Sequence, residues 1–313
     1  LDESQIYYRN DAAAFSKAAK AANLPAAVCA TLPENMDIET RELLIELGVA
    51  PMQGIHETLN AVAQAATWRE NRETILASHV GTLQVPEDMH PGQLVREVAG
   101  KEILRSAGIM VPEGEQAHGS TAAAVARNIG FPVVLKMMGS KLVHKTEAGA
   151  VALALNSESE VTTALATMQA AVVAYDPTAL TDDFLIEAHV PQPLAEMVVG
   201  LRRDPQFGWS LTLGSGGIYV ELLQDTKTLL LPTDGSQIVK AIRSLKLFAL
   251  LDGFRNRPKT DLTSLSAQIL SLCHFVQNTQ NHLQEIEINP LFIYETHGLA
   301  VDALVRCDAV PPV

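Results

Sequence analysis

The stretch LKMMGSKLVHKTEAGAVALAL, residues 135–155, joins two apolar runs through a short and strongly charged segment. Each apolar run has the length and composition of a buried strand. The connection between them carries Lys136, Lys141, His144 and Lys145, whereas an ordinary connection between strands is built from Gly, Asn or Pro. So much positive charge predicts a binding site for an anion, and the alternative is a set of solvated loop charges.

Two residues of this stretch have chemistry that suits phosphate. Lys136 ends an apolar strand, so its ammonium group would emerge at the rim of a sheet and could neutralise phosphate oxygens. His144 is a candidate nucleophile, because a neutral imidazole near pH 7 can accept a phosphoryl group and release it again. A single histidine on a loop is more often a solvated side chain, and that alternative stays open.

The composition of the whole chain excludes several classes of partner. Its 313 residues carry a formal net charge of −13, which argues against general nucleic-acid binding. No apolar run approaches the roughly 18 to 20 residues that span a bilayer. Cys29, Cys273 and Cys307 fit no metal or disulfide spacing, so we expect free thiols in a reducing, cytoplasmic compartment. The beginning LDESQ has no signal-peptide pattern and is expected to belong to a processed or trimmed piece.

The pattern of predicted helices and strands divides the chain into three parts. Residues 1–76 alternate helix and strand as in a parallel α/β layer, with about two strands, too few for a whole doubly wound domain. Residues 77–92 lack periodicity and predict a linker. Residues 93–313 predict an α+β domain with an antiparallel second half, in which two helices cover 236–251 and 262–280.

The end of the chain predicts a metal-binding hairpin. EIEINPLFIYETHGLAVDALV, residues 285–305, reads as two strands around a tight turn at Glu295–Gly298. A loop of even length places Asn289 and Asp302 on one face, directly opposite or one diagonal apart. An amide oxygen and a carboxylate suit Mg²⁺ that also holds phosphate oxygens, with Glu287 as a further ligand or support. The alternative is a polar pair that caps the turn of an exposed hairpin.

A glycine-rich segment and an apolar strand provide further candidate contacts to a nucleotide. LTLGSGGIYVEL, residues 211–222, places Gly216 and Gly217 between two strands, where bare backbone amides could approach a phosphate; a plain glycine-rich turn is the alternative. In FLIEAHV, residues 184–190, the backbone of a strand edge could pair with adenine. Glu196 could accept a ribose hydroxyl, or could simply begin a solvent-facing alternation.

Taken in their order along the chain, these segments resemble the ATP-grasp module of NDP-forming (ADP-forming) acyl-CoA synthetases, which are relatives of succinyl-CoA synthetase β chains. The resemblance covers about residues 91–313 and rests on HKTEAGAVAL, RRDPQFGWSLTLGSGGIYVEL and EIEINPL. Residues 1–76 resemble the C-terminal part of the flavodoxin-like ligase domain that precedes this module. The implied fold class is α/β and α+β: an ATP-grasp fold over 93–313 preceded by a partial flavodoxin-like domain.

The resemblance also implies a role for each candidate residue. Lys136 would contact the nucleotide phosphates together with Gly216 and Gly217, and Glu196 would lie near the ribose. Asn289 and Asp302 would be the magnesium ligands, and His144 would be a relay point for phosphate. The implied adenine hinge consists of Glu187, Ala188, His189 and Val190.

The family's reaction converts a carboxylic acid, CoA and ATP into acyl-CoA, ADP and phosphate through an acyl phosphate and a phosphohistidine. No segment of this chain resembles the CoA-binding domain or the primary phosphohistidine loop of that family. We therefore expect those parts upstream in a longer polypeptide or on a partner subunit of an oligomer. Two alternatives stay open: an ATP-grasp carboxylate–amine ligase, and a non-catalytic nucleotide-sensing domain of a larger protein.

Overall fold

The chain folds into two compact units, residues 1–80 and residues 81–313, called here the N-terminal and the C-terminal unit. A computed structural model describes residues 3–32, 35–77, 92–139, 141–142, 145–217, 225–278 and 282–308. Among these residues, no helix combines the length and the apolar character that crossing a bilayer requires.

The N-terminal unit is a small α/β layer with two parallel strands. Its elements are α1 (Glu3–Ala21), β1 (Ala27–Ala30), α2 (Ile38–Glu46), β2 (Ala50–Gln53) and α3 (Ile55–Ala77). Ala27 of β1 pairs with Ala50 of β2, and α2 forms the crossover between the two strands. The start of α2 is fixed by Asp37, whose carboxylate accepts the backbone N–H of Thr40 at 2.7 Å. The buried apolar cluster of this unit is small and includes Leu44 and Val49.

The C-terminal unit contains two sheets with helices packed against them. Its strands are β3 (Gln93–Leu94), β4 (Gly114–His118), β5 (Val133–Met137), β6 (Val151–Leu155), β7 (Asp183–Ala188), β8 (Ala195–Asp204), β9 (Gly208–Ser215), β10 (Thr226–Leu230), β11 (Leu283–Ile293), β12 (Gly298–Ala300) and β13 (Ala303–Cys307). Its helices are α4 (Glu97–Ser106), α5 (Gly119–Ile129), α6 (Glu158–Tyr175), α7 (Gly235–Arg243), α8 (Phe248–Leu251) and α9 (Leu262–Gln277), with short 3₁₀ turns at Pro177–Ala179 and Phe254–Asn256.

The smaller sheet has the strand order β4-β7-β5-β6, and every neighbouring pair is antiparallel. Helices α5 and α6 bury Ala122 and Val161 in one apolar cluster with Leu135 of β5 and Phe184 of β7. This sheet carries Lys136 near the end of β5 and Glu187 near the end of the adjacent β7. Both charged side chains are therefore held by rigid, paired strands.

The larger sheet has the order β10-β9-β8-β11-β13-β3, and β12 pairs with β11. Along β11 the buried side chains alternate, first Ile286 and Ile288, then Leu291 and Ile293. The change of parity falls at Asn289–Pro290, where the pairing of β11 with β8 is irregular. Such a bulge re-aims the side chain at the irregular position, and here that side chain belongs to Asn289.

One predicted helix is interrupted in the structure. The sequence predicts a single helix over 236–251, but α7 ends at Arg243 and α8 begins at Phe248. At the break, the hydroxyl of Ser244 donates to the carbonyl of Ala241 at 2.7 Å, and the amide of Leu247 donates to the Asp225 carboxylate at 3.2 Å. These two hydrogen bonds compete with continued helix, which a reading of apolar periodicity does not reveal.

Candidate functional site

Lys136 lies at the centre of a buried group of charges. Its Nζ lies 2.8 Å from Oε1 of Glu97 and 3.0 Å from Oε2 of Glu187. It also donates a hydrogen bond of 2.7 Å to the carbonyl oxygen of Val301, in the connection between β12 and β13. Lys136 thus joins the smaller sheet to helix α4 and to the larger sheet.

A second lysine, Lys101, reaches the same acceptors from one turn into helix α4. Its Nζ lies 3.1 Å from Oε1 of Glu97, contacts Oε1 of Glu187, and donates to the carbonyl of Val301 at 3.0 Å. Sequence reasoning missed both Glu97 and Lys101. The available signal was their spacing of four residues in an amphipathic helix, which brings two side chains to the same face.

Lys145 completes the group on the side of the predicted metal ligands. Its Nζ lies 2.8 Å from Oε2 of Glu97 and 3.8 Å from Oδ1 of Asp302. We call the six side chains the ion network: Glu97, Lys101, Lys136, Lys145, Glu187 and Asp302. The preceding residue, His144, lies outside the described residues, so its predicted role as a nucleophile stays a prediction.

Two members of the ion network, Glu97 and Lys136, are held in their charged forms by their neighbours. Burial alone would raise the pKa of Glu97, but the charges of the three lysines hold that pKa well below its usual range. Burial alone would lower the pKa of Lys136, but the carboxylates, Glu97 first, raise it above its usual value. Burial and the charge of Lys136 lower the pKa of Lys101, and partial desolvation and the charge of Glu97 raise the pKa of the half-exposed Asp302. The site therefore keeps an ionised Glu97 beside a protonated Lys136.

Asn289 and Asp302 lie at the irregular part of the hairpin, between two stretches of regular pairing. Leu291 pairs with Ala300 and Ile288 pairs with Ala303, so these two pairs bracket both polar residues. Their predicted placement on one face stays a prediction. The side-chain oxygen of Asn289 accepts the amide of Gly217 at 3.2 Å, and Oδ1 of Asp302 accepts the amide of Ala303 at 2.9 Å.

The donor set at this position fits magnesium rather than a cation that needs a full protein cage. Within the described part of the chain, no group of three or more His, Cys, Asp or Glu side chains could hold a metal ion. One carboxylate and one amide oxygen are what Mg²⁺ uses when it keeps waters and substrate phosphate oxygens as its other ligands. The side chain of Asp302 is 44% exposed, which leaves it open to such a cation.

The glycine-rich turn brings three further predicted residues to the same place. The amide of Gly216 donates to the carbonyl of Glu196 at 2.8 Å, and the backbone of Gly217 has a φ of +67°. A side chain on Gly216 would collide with the backbone of Met197, and one on Gly217 would collide with the carboxylate of Glu196. Glycine is required at position 216 because the backbone of Met197 approaches it this closely, and at position 217 it is favoured by the positive φ. Glu196, Gly217 and Asn289 are thus neighbours.

The predicted adenine hinge is partly occupied by the protein's own hydrogen bonds. The amide of Ala188 donates to the carbonyl of Glu113 at 2.8 Å, and the amide of His189 donates to the carbonyl of Pro132 at 3.0 Å. The carboxylate of Glu187 belongs to the ion network. These groups are engaged within the protein, and the role of residues 187–190 in holding a base stays a prediction.

Comparisons with known proteins show which family the chain is similar to. The sequence profile of the ATP-grasp domain matches residues 90–307. The chain is 33% identical over 208 residues to the β subunit of ADP-forming acetate–CoA ligase I from Pyrococcus furiosus, a match that covers 66% of this chain and 89% of that subunit. It is 35% identical over 215 residues to the trans-feruloyl-CoA synthase FCS1 of an unknown prokaryote, covering 68% of this chain but only 30% of that protein.

A solved structure shows the same fold. The structure of the dinucleotide-forming acetyl-coenzyme A synthetase 1 of Candidatus Korarchaeum cryptofilum, in complex with coenzyme A and Ca-AMPCP, superposes with a TM-score of 0.64 and 31% identity, and covers 69% of this chain and 93% of that one. The chain therefore belongs to the ATP-grasp family. Within it, the chain belongs with the ADP-forming acyl-CoA synthetases, and its residues 90–307 correspond to their ATP-grasp part.

Proposed function

We propose that this chain is the nucleotide-binding part of an ADP-forming acyl-CoA synthetase. The complete enzyme would convert a carboxylic acid, CoA and ATP into acyl-CoA, ADP and phosphate. The step that belongs to this chain is transfer of a phosphoryl group between ATP and a histidine: a P–N bond to the imidazole forms as the P–O bond to the leaving ADP breaks. His144 is a candidate for an acceptor of that group.

One observation carries this proposal: the lysine that would bind phosphate and the pair that would bind magnesium meet at a single peptide segment. Lys136 Nζ donates a hydrogen bond to the carbonyl of Val301, and the next residue, Asp302, lies with Asn289 between the pairs Ile288–Ala303 and Leu291–Ala300 of the hairpin. Asn289 and Asp302 would hold Mg²⁺, which neutralises the charge on phosphate oxygens when it is bound. Gly217 and Glu196 lie beside Asn289 and would face the phosphates and the ribose.

The proposal is tested by thermal unfolding with and without Mg–ADP and Mg–ATP. A ligand present at about 100 times its Kd stabilises the native state by roughly 2.7 kcal/mol, which raises the unfolding midpoint measurably. Lys136→Ala is expected to abolish the ligand-induced rise. Lys259→Ala is the matched control, because Lys259 pairs with Asp252 at the surface and should keep the full rise. No rise in the wild-type protein would contradict the proposed function.

The N-terminal unit supports a second element of the proposal, that residues 1–76 are part of a larger flavodoxin-like domain. Helix α3 leaves Leu59, Val62 and Trp68 more than half exposed, and α1 exposes Tyr7 and Tyr8. Parallel strands are stable when both faces of their sheet are covered, and two strands alone do not achieve this. A longer polypeptide or a partner subunit would supply the remaining strands together with the CoA-binding and phosphohistidine domains.

Hydrogen exchange tests this partial-domain proposal. Amides of α3 should exchange fast in this chain, because little apolar contact opposes local opening. Amides of α6 should be protected, because Val161, Leu165 and Val172 are buried. Equal protection of α3 and α6 would show that the N-terminal unit folds independently of any further domain.

An oligomeric, cytoplasmic enzyme is also part of the proposal. The free thiols of Cys29, Cys273 and Cys307 support a reducing compartment.

A further inference from the structure

The lysines of the ion network are graded from the interior of the C-terminal unit towards solvent. The side chain of Lys101 is 3% exposed, that of Lys136 is 9% exposed and that of Lys145 is 15% exposed. Asp302, at the outer end, is 44% exposed. A nucleotide that enters from solvent would therefore meet Lys145 and Lys136 before it could reach Lys101.

Lys101 and Lys136 share the same acceptors. Both ammonium groups lie against Oε1 of Glu97, the carboxylate of Glu187 and the carbonyl of Val301. An ammonium group has three N–H donors, and the shared acceptors are enough to engage those of either lysine. Lys101 is the more deeply buried of the two, at 3% exposed against 9% for Lys136, so Lys136 is the one that a ligand from solvent reaches. The acceptors keep Lys101 as a partner if Lys136 turns towards a phosphate.

Building on the proposed function, we infer that Lys101 is a positioning residue for the nucleotide site. Lys101 stays with the shared acceptors when Lys136 and Lys145 bind the nucleotide's phosphates. Because Lys101 continues to neutralise the buried carboxylates, the two outer lysines are free to bind phosphate. By holding the carbonyl of Val301, Lys101 also keeps the following residue, Asp302, in its place.

The charge balance of the ion network explains why this role matters. Three lysines face three carboxylates, and removing Lys101 would leave the buried Glu97 and Glu187 dependent on the outer lysines. An uncompensated buried carboxylate is strongly unfavourable. In that variant Lys136 would be held by the carboxylates, and a phosphate would have to compete for it.

The inference is tested by calorimetric titration of the 313-residue chain with Mg–ADP. Lys101→Met is expected to weaken binding by at least about tenfold, or 1.4 kcal/mol. Removing one carboxylate as well, in Lys101→Met/Glu187→Gln, restores the balance and should bring the Kd back to within about threefold of wild type. Glu187→Gln alone measures what the loss of this carboxylate does by itself, and the double variant is compared with it. Lys259→Met, which removes a lysine from a surface pair, should bind like wild type.

Each other result has a definite meaning. The double variant keeps the test valid if Lys101→Met does not fold, because its buried charges balance. A lysine that acts only through packing would give a double variant as weak as Lys101→Met, and that result would overturn the inference. If the wild type binds Mg–ADP and Lys101→Met binds it with the same Kd, this inference is overturned and the proposed function stands. Absence of binding in the wild type would overturn both.

Discussion

Adding a single methyl group at Gly217 should lower both the free energy of unfolding and the affinity for Mg–ADP, by amounts that can be measured separately. The φ of Gly217, +67°, lies in the left-handed region, where a residue with a side chain is strained by roughly 1–2 kcal/mol. A Cβ there would also collide with the carboxylate of Glu196, and the amide of the same residue donates to Asn289. Gly217→Ala therefore disturbs both the proposed ribose contact and the proposed metal ligand.

The expected losses can be set out separately. The free energy of unfolding should fall by about 1–2 kcal/mol, the cost of the left-handed backbone. The affinity for Mg–ADP should fall as well, because displacing Glu196 removes its proposed hydrogen bond from the ribose. A hydrogen bond to a charged group is worth about 1.5–3 kcal/mol. That loss corresponds to about tenfold or more in Kd. Urea unfolding measures the first quantity, and calorimetric titration with Mg–ADP measures the second.

Gly200→Ala is the matched control. Gly200 lies in β8, and a Cβ on it would meet only the Cβ of Thr212, at the ordinary distance of 3.8 Å. We expect its stability to stay within about 0.5 kcal/mol of wild type, with unchanged affinity. If Gly217→Ala behaves like Gly200→Ala in both experiments, the crowding between Gly217 and Glu196 has no energetic consequence and the reasoning about this turn is wrong.

The metal ligands, the candidate nucleophile and the buried thiols each give a further prediction. Asp302→Asn should weaken Mg–ADP binding by about tenfold or more, whereas Glu295→Gln in the exposed turn should not, and equal affinities would contradict the metal assignment. His144→Ala should keep nucleotide binding but lose phosphoryl exchange between ATP and ADP, whereas a carboxylate–amine ligase would stay largely active. Burial raises the pKa of Cys273 to about 12, so iodoacetamide at neutral pH should label the exposed Cys29 first and Cys273 only after unfolding; early labelling of Cys273 in mass spectra would contradict its burial.

The parts of the site that the sequence predicts are those set by local geometry. Side chains of a strand alternate with a period of two, and this parity predicts that Asn289 and Asp302 share one face of the hairpin, directly opposite or one diagonal apart. The pairs Leu291–Ala300 and Ile288–Ala303 bracket both residues. Gly217 is predictable for the same kind of reason, because consecutive glycines between strands indicate a close approach of backbone. The order of three motifs predicts the ATP-grasp family and its fold, and the comparisons confirm both.

Glu97 and Lys101 could not be predicted because their role depends on distant parts of the chain. On the sequence they form an ordinary pair one helical turn apart, and such pairs are usually solvated and contribute little. In the fold, Lys101 also contacts Glu187, 86 residues further along the chain, and the carbonyl of Val301, 200 residues further along. These contacts make the pair buried rather than solvated. No local pattern indicates that a helical pair is buried against two sheets.

The same long-range contacts change what Lys136 can do. The sequence predicts a free ammonium group at the rim of a strand, but the structure surrounds this group with two carboxylates and a carbonyl. The binding free energy at Lys136 is therefore less than that of an unpaired lysine. It is the difference between the free energy of the contacts to phosphate and that of the contacts to Glu97, Glu187 and Val301 that they replace. That difference is favourable only if the carboxylates that Lys136 leaves keep another cation, which is the role inferred for Lys101.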